Sequence, residues 1–127
     1  MIVVDASAAL AALLRRGPAR EALGDQQLHV PHLIDSEVAS GLRRRVAAGE
    51  VDVRDASRVL GTWQRLALLR YPVFGLLPRI WALRENVSAY DASYIALAEA
   101  LDCTMLTADR RLARAPGTEC PITVVPR

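Results

Sequence analysis

The chain has 127 residues, 52% of them hydrophobic and only 5% aromatic, a length and composition that predict one domain, residues 1–127, with an aliphatic core. Its formal charge is +2, all 16 basic residues are Arg and none is Lys, which excludes P-loop nucleotide chemistry with its phosphate-binding Lys. No apolar run approaches the ~20 residues of a bilayer span, the start Met1-Ile2-Val3-Val4-Asp5 lacks a basic leader, and Cys103 and Cys120 have no zinc-ligand spacing around them; a cytoplasmic protein with reduced thiols is expected.

In chain order, Ile2-Val3-Val4 is a β-branched run that reads as a short strand. Asp5 ends it, and an Ala/Leu-rich helix is expected over residues 6–16, stopped by Gly17-Pro18. A short helix over 19–23 ends at Gly24, and a second strand covers 27–30 before Pro31. Between 32 and 49, Ile34, Val38, Leu42 and Val46 recur every four residues, the mark of an amphipathic helix. Residues 52–68 read as another helix, with Val59, Leu60, Trp63 and Leu66 on its apolar side. A strand over 69–74 and a short helix over 76–85 precede the strongest helix, over 88–101. The chain closes with a strand over 104–107, a helical turn over 109–115 and a strand over 122–125.

Short apolar strands alternating with helices predict an α/β fold, a parallel sheet covered on both faces. Ligands of such sheets bind beyond the carboxyl ends of the strands, where strand order reverses. Asp5 and Asp109 stand at such ends, after the first and fourth strands. Each also fits a helix N-cap. Asp91 lies three residues after Ser88 in a capping-box spacing, yet its side of the helix continues into buried positions. Glu37 borders the Ile34/Val38/Leu42 stripe, where an unpaired charge is costly; an ion pair with Arg44 or Arg45 is its ordinary explanation. Two carboxylates ~4 Å apart repel by roughly 4 kcal/mol at an effective dielectric near 20. Four converging acids therefore take up protons or hold a cation, and hard oxygen donors suit Mg²⁺ or Mn²⁺. Ser7 and Thr107 read as hydrogen-bond partners that orient the acids. Setting the four aside leaves 10 acids against 16 arginines, a basic body suited to a polyanion whose phosphate meets the acidic pocket.

Four segments carry a family resemblance: Ile2-Val3-Val4-Asp5-Ala6-Ser7, Ser36-Glu37-Val38, Tyr90-Asp91-Ala92-Ser93-Tyr94-Ile95-Ala96-Leu97-Ala98, and Leu106-Thr107-Ala108-Asp109-Arg110-Arg111-Leu112. Together, and in this order along the whole chain, they resemble the PIN domains, and among them the VapC-type toxins of type II toxin–antitoxin pairs. The resemblance implies a PIN-like three-layer fold whose five-stranded, mostly parallel sheet has helices on both faces. It implies a Mg²⁺- or Mn²⁺-dependent endoribonuclease with Asp5, Glu37, Asp91 and Asp109 as its acidic quartet. Asp5, Asp91 and Asp109 would hold metal, and Glu37 would act directly or through water. It also implies a cognate VapB-type antitoxin, a homodimer and toxin–antitoxin hetero-oligomers. Asp35, two residues before Glu37, competes for the role given to Glu37.

Arg43, Arg44, Tyr90 and Tyr94 are candidate RNA contacts, with Arg45 beside them in the same run and Trp63, Trp81 and Tyr71 as further aromatics for base stacking. A solvated helix face explains the Arg run equally well. His29 and His32 lack a metal-site context. Two other functions fit the alternating pattern: a receiver-like phosphotransfer domain with Asp5 as nucleophile, and a regulatory module that kept the fold without activity. The first lacks a second acid two residues on, where Ser7 stands, and lacks the supporting Lys. The presence of all four acids weighs against the second.

Overall fold

A computed structural model describes all residues, 1–127. The strands β1 (Ile2–Val4), β2 (Leu28–Pro31), β3 (Leu68–Tyr71), β4 (Thr104–Thr107) and β5 (Ile122–Val124) form one sheet in the order β3-β2-β1-β4-β5. Every pairing is parallel, as expected for strands buried beneath crossover helices. The helices are α1 (Ala6–Leu14), α2 (Pro18–Leu23), α3 (Ile34–Ala47), α4 (Val53–Arg65), α5 (Leu77–Ala82), α6 (Ala89–Leu101) and α7 (Arg110–Ala113), with a 3₁₀ turn at Phe74–Leu76. Helices α1 to α4 pack on one another, while α5 packs on α6 and α6 against β1, β2 and β4. Crossovers between parallel strands are right-handed as a rule, which for this strand order puts the two groups on opposite faces of the sheet.

Element boundaries differ from the sequence expectation where backbone chemistry intervenes. β3 stops at Tyr71 because Pro72 has no N–H to give the ladder. α4 ends at Arg65, so Leu66 lies outside the helix as its cap and is exposed. The 76–85 helix resolves into the 3₁₀ turn and the shorter α5, which Pro78 opens within its first turn.

Strand order reverses between β1 and β4, whose register pairs Val4 with Leu106. The Asp5 N–H continues the ladder by donating to Leu106 O at 3.0 Å. Gly41 sets how closely α3 crosses α1: a Cβ there would meet Leu10 Cδ1 at 2.3 Å. That close approach brings Glu37, one turn earlier on α3, toward the start of α1. The core joins residues from Ile2 to Val125 in one cluster. A second tie secures the chain before β5. Arg79 makes a bidentate pair with Glu99 at 2.6 and 3.1 Å and donates to Gly117 O, while Glu99 accepts the Glu119 N–H. Both cysteines are free thiols. No helix is long and apolar enough to cross a membrane.

Candidate active site

The four acids line one cleft of about 680 Å³ at the carboxyl ends of β1 and β4. Asp5 is its floor. It is 4% exposed and caps α1 by accepting the Ala8 N–H at 2.9 Å. Its Oδ1 also accepts the Ser7 hydroxyl at 2.7 Å, and its Oδ2 accepts the Thr107 hydroxyl at 2.5 Å. Each hydroxyl in turn accepts a backbone N–H, Ser7 from Ala108 and Thr107 from Asp109. Since each hydroxyl has a single proton, this network stitches the β1 end to the β4 end through an ionised Asp5. Burial and the charge of Asp109 push the Asp5 carboxyl above the usual carboxylate range, against the lowering effect of its three hydrogen bonds.

Asp91 is carried by the first turn of α6, whose cap Ser88 accepts the Asp91 N–H at 3.2 Å. Its carboxylate has no ion-pair partner. Burial raises its pKa first, then the charges of Asp5 and Asp109. Glu37 likewise titrates high, through burial and then the charges of Asp91 and Asp5. The expected Arg partner is absent: Glu37 Oε1 accepts a short hydrogen bond from the Tyr94 hydroxyl. Arg45 donates instead to Gly41 O. Asp109 behaves differently. It caps α7, and Arg111 engages both its oxygens, Nη2 to Oδ2 at 2.7 Å and Nε to Oδ1 at 3.1 Å. That contact holds Asp109 below the ordinary range.

No group of three or more acidic, His or Cys side chains is arranged to hold a metal ion outright. The donors facing the cleft are nonetheless all hard oxygens, and three of the carboxylates are destabilised as anions by burial and one another. This combination fits an ion such as Mg²⁺, which binds through one or two carboxylates and keeps several waters.

Tyr94 is 1% exposed. Its ring is packed in the core with the hydroxyl committed to Glu37, which corrects its reading as an RNA contact. Tyr90 is exposed and lines the cleft; Arg44 lines it too, whereas Arg43 does not. The cleft also draws in Arg15, Arg45 and Arg127, of which Arg15 and Arg127 have no motif to mark them because the fold alone brings them there. Trp63 is buried, with Nε1 donating to Asp35 at 2.8 Å, and Trp81 is exposed under the Arg84 guanidinium. His29 is buried between Tyr71 and Gln27 as a hydrogen-bonded core residue, and His32 is exposed.

Asp35 and Glu37 differ in where they stand: Glu37 lines the cleft and Asp35 does not. Asp35 turns away from the cleft to a bidentate pair with Arg70 at 2.8 and 2.9 Å and to the Trp63 indole. Asp35→Asn is therefore expected to cost about 1–2 kcal/mol of stability and to leave RNA cleavage within about twofold. Glu37→Gln should reduce cleavage about tenfold or more with little change in melting temperature. Melting curves and cleavage rates of the two variants check this; the reverse pattern would give the role to Asp35.

Comparisons with known proteins identify the family. The family model described as PIN domain matches residues 2–117. Ribonuclease VapC9 of Mycobacterium tuberculosis is 61% identical over 127 residues, covering 100% of both chains. Among solved structures, PAE2754 from Pyrobaculum aerophilum superposes with a TM-score of 0.72 at 27% identity, covering 95% of this chain and 81% of that one. VapBC2 from Rickettsia felis, crystallised with a DNA fragment from its promoter, has a TM-score of 0.70 at 13% identity, covering 98% of each chain. The chain belongs to the PIN-domain family, among its VapC ribonucleases.

Proposed function

We propose that residues 1–127 act as one PIN domain that hydrolyses RNA phosphodiester bonds with Mg²⁺ or Mn²⁺, the toxin of a pair silenced by a cognate antitoxin. The observation that carries this is the joint lining of one cleft by Asp5, Glu37, Asp91 and Asp109, with Glu50 as a fifth acid, and by four arginines, Arg15, Arg44, Arg45 and Arg127. The arginines draw a polyanion into the cleft and fix its backbone. Asp5 and Asp91, with Asp109 at the rim, would hold the divalent ion. When bound, such an ion lowers the pKa of a water and offsets charge developing on the phosphate. Asp5 is held rigid by Ser7, Thr107 and the Ala8 N–H, and Glu37 is placed to orient a water and take its proton. Arg111 keeps Asp109 ionised and ties it to the start of α7.

The antitoxin reading draws on the likeness to the VapBC2 pair and on the family. A strip of exposed Phe74, Leu77 and Trp81 offers apolar surface for the antitoxin or for a homodimer partner. We place the protein in the cytoplasm with its RNA substrate.

The direct test is cleavage of total RNA by the purified protein. Cleavage is expected with Mg²⁺ or Mn²⁺, not with EDTA, and should weaken steeply between 50 and 200 mM salt, as phosphate contacts do. Cleavage undiminished in EDTA, or none with either ion, overturns the reading.

A further inference from the structure

Tyr94 stands three residues after Asp91 on α6, so the two share one helix face. Its ring is sealed in the core, 1% exposed, yet its hydroxyl emerges at the cleft wall and donates to Glu37 Oε1. Glu37 comes from α3 and makes no ion pair. The Tyr94 phenol is the hydrogen bond the chain offers its carboxylate, and Oε2 is left to the cleft. A buried tyrosine needs an acceptor for its hydroxyl, and a backbone carbonyl would serve that need. Here the acceptor is instead an acid in a cleft shared with Asp5 and Asp91.

We propose that Tyr94 is a positioning residue: its hydroxyl holds the Glu37 carboxylate in the acidic cluster, one oxygen engaged and the other directed at the divalent ion or its waters. The assignment rests on the metal-dependent ribonuclease reading above. It explains how an acid without a basic partner keeps a fixed place on a half-buried helix edge. Asp91 and Glu37 are thereby tied together across two helices, because the residue that orients Glu37 rides on the helix that presents Asp91. The relation is that of an outer partner to a metal-site carboxylate, whose loss lowers metal affinity about 10–100-fold.

The test is a double-mutant cycle on Tyr94→Phe, Glu37→Gln and the double variant. Mn²⁺ affinity is read by calorimetry, and kcat and KM are measured on a short fluorogenic RNA. Tyr94→Phe keeps the buried ring, so its melting temperature in EDTA should stay within a few degrees of the parent. Its Mn²⁺ affinity should fall about tenfold or more, with kcat reduced and KM for RNA unchanged. The double variant should be no worse than Glu37→Gln alone, since the phenol acts only through that carboxylate. Glu37→Asp, which withdraws the carboxylate by one methylene from the phenol, should reproduce the affinity loss with the ring intact. Parental Mn²⁺ affinity in Tyr94→Phe, or losses that multiply in the double variant, overturns the assignment. A parent protein that neither binds Mn²⁺ nor cleaves RNA overturns the reading of the site itself, a different result from an active parent indifferent to Tyr94.

Discussion

Asp91→Asn is expected to reduce RNA cleavage about a thousandfold, comparable to removing a main electrostatic element of an active site, while the fold stays as stable as before or becomes slightly more so. The Asp91 carboxylate has no cationic partner to lose, and burial together with the charges of Asp5 and Asp109 already disfavours its ionised form. Replacing it by the neutral isostere removes that penalty. In EDTA the variant should therefore melt at or a little above the parent temperature. Asp5→Asn should be equally inactive but not equally benign. The Asp5 oxygens accept two hydroxyls and a backbone N–H, and an amide would set its own donor against one of those hydroxyl protons. A loss of about 1–3 kcal/mol is expected from the mispaired buried donor. Catalysis and stability thus separate at Asp91 and move together at Asp5. Cleavage by Asp91→Asn within tenfold of the parent would remove Asp91 from the site.

Much of this arrangement is visible along the chain, because parallel α/β folds carry their sites where strands end. The β-branched run before Asp5 and the Met105-Leu106-Thr107 run before Asp109 suffice to place both acids at one edge of the sheet. The cap reading does not exclude the site reading: both are N-caps and both line the cleft. A side chain at a strand–helix junction is held by the cap geometry at the place where ligands bind. What could not be read are pairings made across long separations. Asp35 and Glu37 are told apart by Arg70, 35 residues away from Asp35 on β3, and no local pattern contains that contact. Tyr94 resembles a surface aromatic beside an acid of the cleft, yet it occupies the buried side of a helix whose residues from Ala92 to Ala98 are all buried. When a helix is apolar nearly all round, periodicity no longer tells which side faces the cleft. Arg15 and Arg127 reach the site from the end of α1 and the end of the chain, and only the folded topology brings them together.

The strain of gathering these acids should itself be measurable as a stabilisation by divalent ions that grows with pH. Asp5, Glu37 and Asp91 all titrate above their ordinary values of 3.8, 4.5 and 3.8. In the ion-free protein, between those ordinary values and the raised ones, the folded state binds more protons than the unfolded chain, so their contribution to stability falls as pH rises through that window. A bound Mg²⁺ favours the ionised carboxylates and cancels the fall. At an ion concentration a hundred times the dissociation constant the gain is about 2.7 kcal/mol, or roughly 10 °C for a chain of this size. The rise should thus be large at pH 7.5 and several degrees smaller at pH 5, where protons compete for the same oxygens. Buried His29 titrates low, so its contribution is lost as pH falls below its ordinary 6.5, but it does so with and without the ion and drops out of the difference. Asp35, Glu99 and Asp109 titrate low, so their contributions are lost only as pH falls below the ordinary carboxylate values, under the range compared. The Asp5→Asn, Asp91→Asn double variant should show no rise at either pH. Melting curves with Mg²⁺ and with EDTA, matched in ionic strength, decide the matter: a rise independent of pH, or one that survives in the double variant, would place the ion elsewhere than on these acids.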